Sequence, residues 1–293
     1  MKNINVFCFG FGQVAKNFIN KINLKGYKIN LSVTSTKETC KKKINSLNYV
    51  SYFFNNESYD DNLIKKLQKA DYILISVPPI NGIDLVIKNF LKIIENCNPK
   101  WITYLSATSV YGNYKGEWVN EKSITRPTSL NGKARLVAEK SWMSLQKKRN
   151  LPIQIFRLSG IYSNQNNTLM RLKFGNISLI SKKNQFFSRI HVDDIGNILF
   201  KSLTNFKTGE IYNISDDKPS SSEEVTLYGV KLLNIDKPKK VKIDHIESEM
   251  LKNFYKDSKK VCNKKMKKFF NYNLKFPSYI EGLEYIRDNF IKL

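Results

Sequence analysis

The sequence predicts an α/β protein, a doubly wound parallel sheet with a smaller C-terminal lobe. Three observations carry that prediction. Apolar, strand-like runs alternate with helical patterns over roughly the first 160 residues. A glycine pair stands between the first strand and the first helix. Beyond about residue 160 the alternation lapses and the connections lengthen.

The elements follow in order. INVFCF, Ile4 to Phe9, is a buried strand by its unbroken apolar, β-rich character. Val14, Phe18 and Ile22 recur every fourth residue and mark one face of a helix, which Gly26 closes. KINLSVT (28–34) is a second strand. VSYFF (50–54), ADYILISV (70–77), WITYLSA (101–107) and IQIFRLS (153–159) are further strands. Helical patterns separate most of them, notably Ile83–Glu95 and Gly132–Lys148, so right-handed crossovers are expected. In the second half EIYNIS (210–215) is a strand, and Ser221–Glu224 and Ser278–Glu281 match capping boxes that open helices. The expected division is residues 1–160 for the sheet domain, completed by segments around 189–215, and 161–293 for the smaller substrate lobe.

Composition narrows the function. The chain of 293 residues is 41% hydrophobic, ordinary for a globular protein. No apolar run reaches bilayer length, and the N-terminus lacks a small-residue cleavage site. Cys8, Cys40, Cys97 and Cys262 are isolated, and His191 and His245 are the only histidines. A zinc site is therefore not expected, and a reducing, cytoplasmic setting is. The net charge is +24, but it comes from 42 Lys and only 7 Arg, alongside 33 Asn. A/T-rich codons produce that mixture, and readers of base edges rely on Arg forks. The densest run, Lys237–Lys268, has twelve Lys against four acidic residues and reads better as a solvated face than as a nucleic-acid surface.

The glycine loop is G-x-G-x-x-A, Gly10 to Ala15. Gly10 permits a tight turn, Gly12 lets the backbone approach a pyrophosphate, and Ala15 allows close helix–strand packing. Its place between strand and helix makes it a Rossmann-like dinucleotide loop. The second strand ends in Thr34-Ser35-Thr36-Lys37 instead of Asp or Glu. Hydroxyls and a cation suit a 2′-phosphate, so NADP is preferred, and Glu38 keeps NAD open. The candidate cofactor contacts are Gly10, Gly12, Gln13, Val14, Thr34, Ser35, Lys37, Val77, Pro78, Ser106 and Arg135.

Six further phrases occur in a consistent order: YLSATSVYGN (104–113), GEWVNE (116–121), RPTSLNGKARLVAE (126–139), FRLSGIY (156–162), RIHVDDIG (189–196) and GEIYNISDD (209–217). Together they resemble the short-chain dehydrogenase/reductase superfamily in its extended form, the NAD-dependent epimerase/dehydratase-like proteins that often act on nucleotide sugars. The similarity runs from the glycine loop to about Gly282, and the look is of an atypical group. The resemblance implies a catalytic Ser or Thr and a Tyr-x-x-x-Lys. Mapped onto this chain, these positions hold Ala107, Asn131 and Arg135. An amide has no titratable proton near neutral pH, so Asn131 cannot replace tyrosine as acid or base. Arg135 can hydrogen-bond ribose hydroxyls but stays protonated.

Thr108, Tyr111, Asn131 and Arg135 are therefore the catalytic-position candidates. Ser106 and Ser109 also flank the lost hydroxyl, and Tyr111 and Glu121 are the nearest replacement acid/base groups. His191 is read as a hydrogen-bonded structural histidine, with Asp193 or Asp194 capping the next helix. Phe187 stands where sugar-nucleotide enzymes carry an Arg, and Arg189 lies two residues on. The expected function is an NAD(P)-binding protein of the epimerase/dehydratase-like oxidoreductase type with a degenerate catalytic set. The alternative is a non-catalytic dinucleotide-binding sensor or scaffold. The expected partner is a small-molecule substrate, with a nucleotide sugar as the candidate; neither membrane nor nucleic acid is expected, and a homodimer is left open.

Overall fold

The computed structural model describes residues 3–246, 248, 252 and 255–291. The chain forms two compact units. The first comprises residues 1–107, 133–157 and 195–211; the second comprises 108–132, 158–194 and 212–293. The chain thus crosses between units several times; the sequence suggested residues 1–160 completed by segments around 189–215, with 161–293 as the second lobe. Residues 108–132, within the expected sheet domain, belong to the second unit.

The first unit is built on one sheet. Its strands are β1 (Asn3–Phe9), β2 (Lys28–Ser35), β3 (Cys40–Ile44), β4 (Leu47–Phe53), β5 (Tyr72–Ile75), β6 (Trp101–Ala107) and β7 (Ile153–Leu158); β8 (Ile211–Ile214) begins at the unit's last residue. The order is β8-β7-β6-β5-β1-β2-β4-β3. The pairs β2–β1, β1–β5, β5–β6 and β2–β4 are parallel. The helices are α1 (Gln13–Leu24), α2 (Asn62–Leu67), α3 (Leu85–Asn96) and α4 (Leu130–Arg149), of which α4 begins in the second unit. Phe7 and Phe9 on β1 meet Phe54 and Phe90 in a fully apolar core. Val6 and Cys8 on the opposite face are buried as well, as expected of a central parallel strand covered on both faces.

The sequence missed β3. This strand, CKKKI, pairs antiparallel with β4 at the edge of the sheet. Lysines give it no apolar alternation, and an exposed edge strand needs none. The strand read as 50–54 consequently starts earlier, at Leu47, because a tight turn with Asn45 at φ 50° joins the two.

In the second unit α5 (Thr168–Lys173), α7 (Ser222–Leu233) and α9 (Tyr279–Phe290) enclose a core of Leu169, Val225, Tyr279, Leu283 and Ile286. Between them in the chain, α6 (Val192–Lys201) runs from the second unit into the first, and α8 (Lys264–Phe270) belongs to the second. The Ser278–Glu281 box is present, with the Ser278 and Glu281 side chains serving each other's backbone. The Ser221 side chain accepts from the Glu224 N–H, so α7 starts where the sequence placed it. Part of the Lys237–Lys268 run lies outside the described residues. Within its described part, Lys259 and Lys267 pair with Asp257 and Asp217.

Candidate functional site

The glycine loop forms as the sequence implies. Gly10 has φ +82°, and a Cβ there would lie 2.7 Å from the Ser76 hydroxyl and 3.1 Å from Val77. Only glycine fits that turn. Ser76 Oγ donates to the carbonyls of Phe9 and Gly10 at 2.9 and 3.1 Å, and Gly10 N–H donates to Thr34 Oγ1 at 2.9 Å. Thr34 is almost fully buried. Its hydroxyl shapes the loop, and its orientation is not that of a solvent-facing phosphate ligand. Ser76 was missed because a lone serine after an apolar strand has no sequence signal.

Gly12 is the opposite case. It caps α1, no side chain caps the helix, and no acidic residue occupies its first turn. A Cβ at Gly12 would meet nothing within 4 Å. The helix start therefore offers unscreened N–H groups to open space, the arrangement that holds a phosphate. Gln13 beside it is exposed, while Val14 and Ala15 pack inward, so Val14 can serve a ligand only through its backbone. These residues fit the pyrophosphate of a dinucleotide.

At the end of β2, Ser35 is half-buried and Lys37 is exposed. Ser51 donates to Ser35 Oγ at 3.0 Å. Glu38 is exposed as well. After β5, Val77 is half-buried and Pro78 exposed. At the end of β6, Ser106 is buried and its hydroxyl has no hydrogen-bond partner. A buried orphan hydroxyl is uncommon and marks a place where a ligand or water completes the bonding.

Asn131 and Arg135 are one turn apart on α4, and Asn131 is exposed. Arg135 donates from Nη1 to the Leu105 carbonyl and, at 3.4 Å, to the Tyr104 hydroxyl. Its guanidinium is thereby fixed at the C-terminal end of β6, one residue from Ser106. One turn further along, Glu139 makes a buried two-pronged pair with Arg157, at 2.7 and 3.1 Å. Trp142 Nε1 donates to Asp84 Oδ2 at 2.9 Å. Asp84 also caps α3, accepting from Val86 and Ile87. Burial pushes the Asp84 carboxyl up, against those bonds and the Arg135 charge. The Tyr104 phenol is also pushed up by burial, so it holds its proton at neutral pH. Sequence reasoning missed the roles of Asp84, Tyr104, Glu139 and Arg157: Asp84 belongs to no motif, and the other three lie within the quoted phrases without any local signal of their partners.

In the second unit, Thr108 and Ser109 leave the strand in a short turn ending at Tyr111 and are half-buried. Gly132 is there for contact, since a Cβ would lie 2.8 Å from the Ser109 carbonyl. Tyr111 is fully buried and donates to Asn213 Oδ1 at 2.7 Å. Glu121 accepts from the Asn213 N–H at 2.8 Å. Both candidate acid/base groups are thus engaged in holding residue 213. His191 is buried against Tyr162 and Phe276, and the Asp193 N–H donates to its Nδ1. That corrects the expected cap. His191 serves the start of α6, while Asp194 accepts from Tyr272, Lys275 and Phe276. Arg189 donates to the carbonyls of Phe187 and Ser220, at 3.0 and 2.9 Å. Burial pushes the nearby Asp216 carboxyl well up. No cluster of His, Cys, Asp or Glu among the described residues can hold a metal ion. No described helix is long and apolar enough to cross a membrane.

A mostly parallel sheet with a glycine loop between β1 and α1 defines a Rossmann-like fold. Residues 85–215 match the model of the NAD dependent epimerase/dehydratase family, the family type that the sequence phrases resemble. No curated protein matches the sequence. Among solved structures, a functionally unknown conserved protein from Silicibacter pomeroyi DSS is 29% identical, with TM-score 0.85 over 99% of each chain. The dTDP-glucose 4,6-dehydratase of Bacillus anthracis str. Ames, in complex with NAD, is 17% identical, with TM-score 0.77 over 98% of this chain and 96% of that one. The UDP-glucuronic acid 4-epimerase of Bacillus cereus, in complex with NAD, is 17% identical, with TM-score 0.76 over 98% and 99%. These last two show a shared fold.

Proposed function

We propose that this chain binds a nicotinamide dinucleotide on the Gly10–Ala15 loop, prefers NADP(H), and has given up the tyrosine-based proton transfer of its relatives. The observation that carries this reading is the open, uncapped start of α1 at Gly12. NAD bound in the dehydratase and epimerase structures supports it. When bound, the group supplies hydride transfer. Gly12 and the α1 N–H groups hold the pyrophosphate, Ser35 and Lys37 receive a 2′-phosphate, and Ser106 and Arg135 meet the nicotinamide ribose. Val77 and Pro78 line the cofactor after β5.

The substrate class that the neighbours suggest is a nucleotide sugar, because UDP-glucuronic acid and UDP-glucose occupy related structures. A non-catalytic sensor or scaffold is the second reading, favoured by Ala107, Asn131 and Arg135 together. Tyr111 and Glu121 are each tied to Asn213, the first donating to its Oδ1 and the second accepting from its N–H, which supports the same reading. The reading includes a cytoplasmic setting, from four isolated free cysteines, and admits a homodimer.

A pair of single variants tests the roles on α4. Arg135→Ala should weaken cofactor binding about tenfold to a hundredfold, the worth of a charge-assisted hydrogen bond. Asn131→Ala should leave both cofactor affinity and any turnover of aldehydes or nucleotide sugars within about tenfold, because no proton-transfer contribution is lost. A thousandfold turnover loss in Asn131→Ala, at unchanged affinity, would assign the asparagine a catalytic role.

A further inference from the structure

At the free edge of the main sheet, β2, β4 and β3 carry a concave surface away from any motif. The residue row Ser32–Val50–Lys41 runs across the three strands, and Asn48 faces Lys43 in the next row on that side. α2 is only six residues long and covers little of this edge. A groove of about 940 Å³ results, and Lys66 and Lys69 from the α2 segment line it together with Lys41 and Lys43. Lys42 lines it from the alternate row, and no carboxylate lines it at all. Among the described residues none of these five lysines is in an ion pair. Asp71, next to the groove's Ala70, is already held by Asn5 and Lys100.

Lysines on an edge strand guard against strand pairing. That accounts for β3 alone and not for Lys66 and Lys69, which are on a different element. Lys42 points to the other face of the sheet, so four like charges, Lys41, Lys43, Lys66 and Lys69, surround one concavity, and they repel one another unless an anion neutralises them. Lysine is depleted at protein–protein interfaces, which use aromatic and Arg anchors, and this groove has no Arg. Lysines alternating along a strand are about 6.6–6.8 Å apart, a spacing suited to successive backbone phosphates. Asn48 adds an amide, which can pair with a base edge, while the Asn30 amide already donates to Asn5 Oδ1 at 3.0 Å. The volume is that of a cleft for a small ligand or a narrow strand, too small for a duplex. We propose that this groove binds a single-stranded nucleic acid through its phosphates, without strong sequence preference.

Fluorescence anisotropy with a labelled oligouridylate tests it. The affinity should fall about fiftyfold between 50 and 200 mM salt, since four neutralised phosphates at about 0.7 each give a log–log slope of about 2.8. The variant K41Q/K43Q/K66Q/K69Q should lose at least tenfold in affinity at 50 mM salt, and its slope should flatten. K237Q/K239Q/K240Q/K264Q removes the same charge elsewhere and should stay within about threefold. Circular-dichroism melting confirms that both variants fold. Equal losses in both variants would reduce the effect to net charge and overturn the proposal. So would absence of binding by the unmodified protein. Polyglutamate competing as well as the oligonucleotide, charge for charge, would make the partner an acidic protein and overturn it too.

Discussion

Gly12→Val is expected to lose dinucleotide binding by at least a hundredfold while the protein melts as before. Both halves of that result come from one measurement of space. The backbone at Gly12 has φ −78°, which any L-residue adopts, and an added Cβ meets nothing within 4 Å. The fold has no objection to the side chain. The open space is where a pyrophosphate must approach the α1 N–H groups, and a valine would fill it. A hundredfold loss corresponds to about 2.8 kcal/mol. Gly10→Val is the contrast. There φ is +82° and the Ser76 hydroxyl is 2.7 Å from the new Cβ, so stability itself should fall. Calorimetric titration with thermal melting separates the two effects. Undiminished binding by Gly12→Val would move the cofactor away from this loop.

The largest stability effect should come from Glu139→Ala. Glu139 and Arg157 expose 3% and 5% of their side chains and share two short contacts. Removing the carboxylate leaves a buried guanidinium without its counter-charge, which costs about 3–5 kcal/mol. For a protein of this size that lowers Tm by roughly 6–20 °C. Replacing both partners, Glu139→Leu with Arg157→Met, should recover most of the loss, because two apolar side chains leave no charge stranded. Urea denaturation of the single and double variants is the check. A loss below about 1 kcal/mol in the single variant would mean that water reaches Arg157. The pair lies one turn beyond Arg135 and joins α4 to β7, so it helps fix the helix that presents Arg135 to β6.

Some of this was readable from the chain alone. β1, the glycine loop and α1 announce themselves because an unbroken apolar run, two glycines and a four-residue repeat each have one physical cause. β6 was read to its limits, 101–107, for the same reason. β3 was not, because Lys41, Lys42 and Lys43 owe their strand to pairing with β4 and not to any apolar face. Thr34 shows a subtler limit. Its hydroxyl was legible as polar chemistry at the end of β2, but only the fold reveals that Gly10 claims it. Glu139 and Arg157 are 18 residues apart on a helix and a strand, and nothing local pairs them. Ala107, Asn131 and Arg135 stood out at once, because a resemblance to a motif makes any departure from it visible. The second unit's interleaved segments were not, because contacts far apart in sequence define them.

Whether the Gly10–Ala15 loop holds a nicotinamide dinucleotide can be decided by isothermal titration of the unmodified protein with NADPH and with NADH. One dinucleotide should bind per chain, more tightly for NADPH, with the preference lost in Lys37→Ala. Equal affinity for the two would remove the role given to Ser35 and Lys37. Binding of neither, by a protein that melts cooperatively, would overturn the assignment of the loop itself.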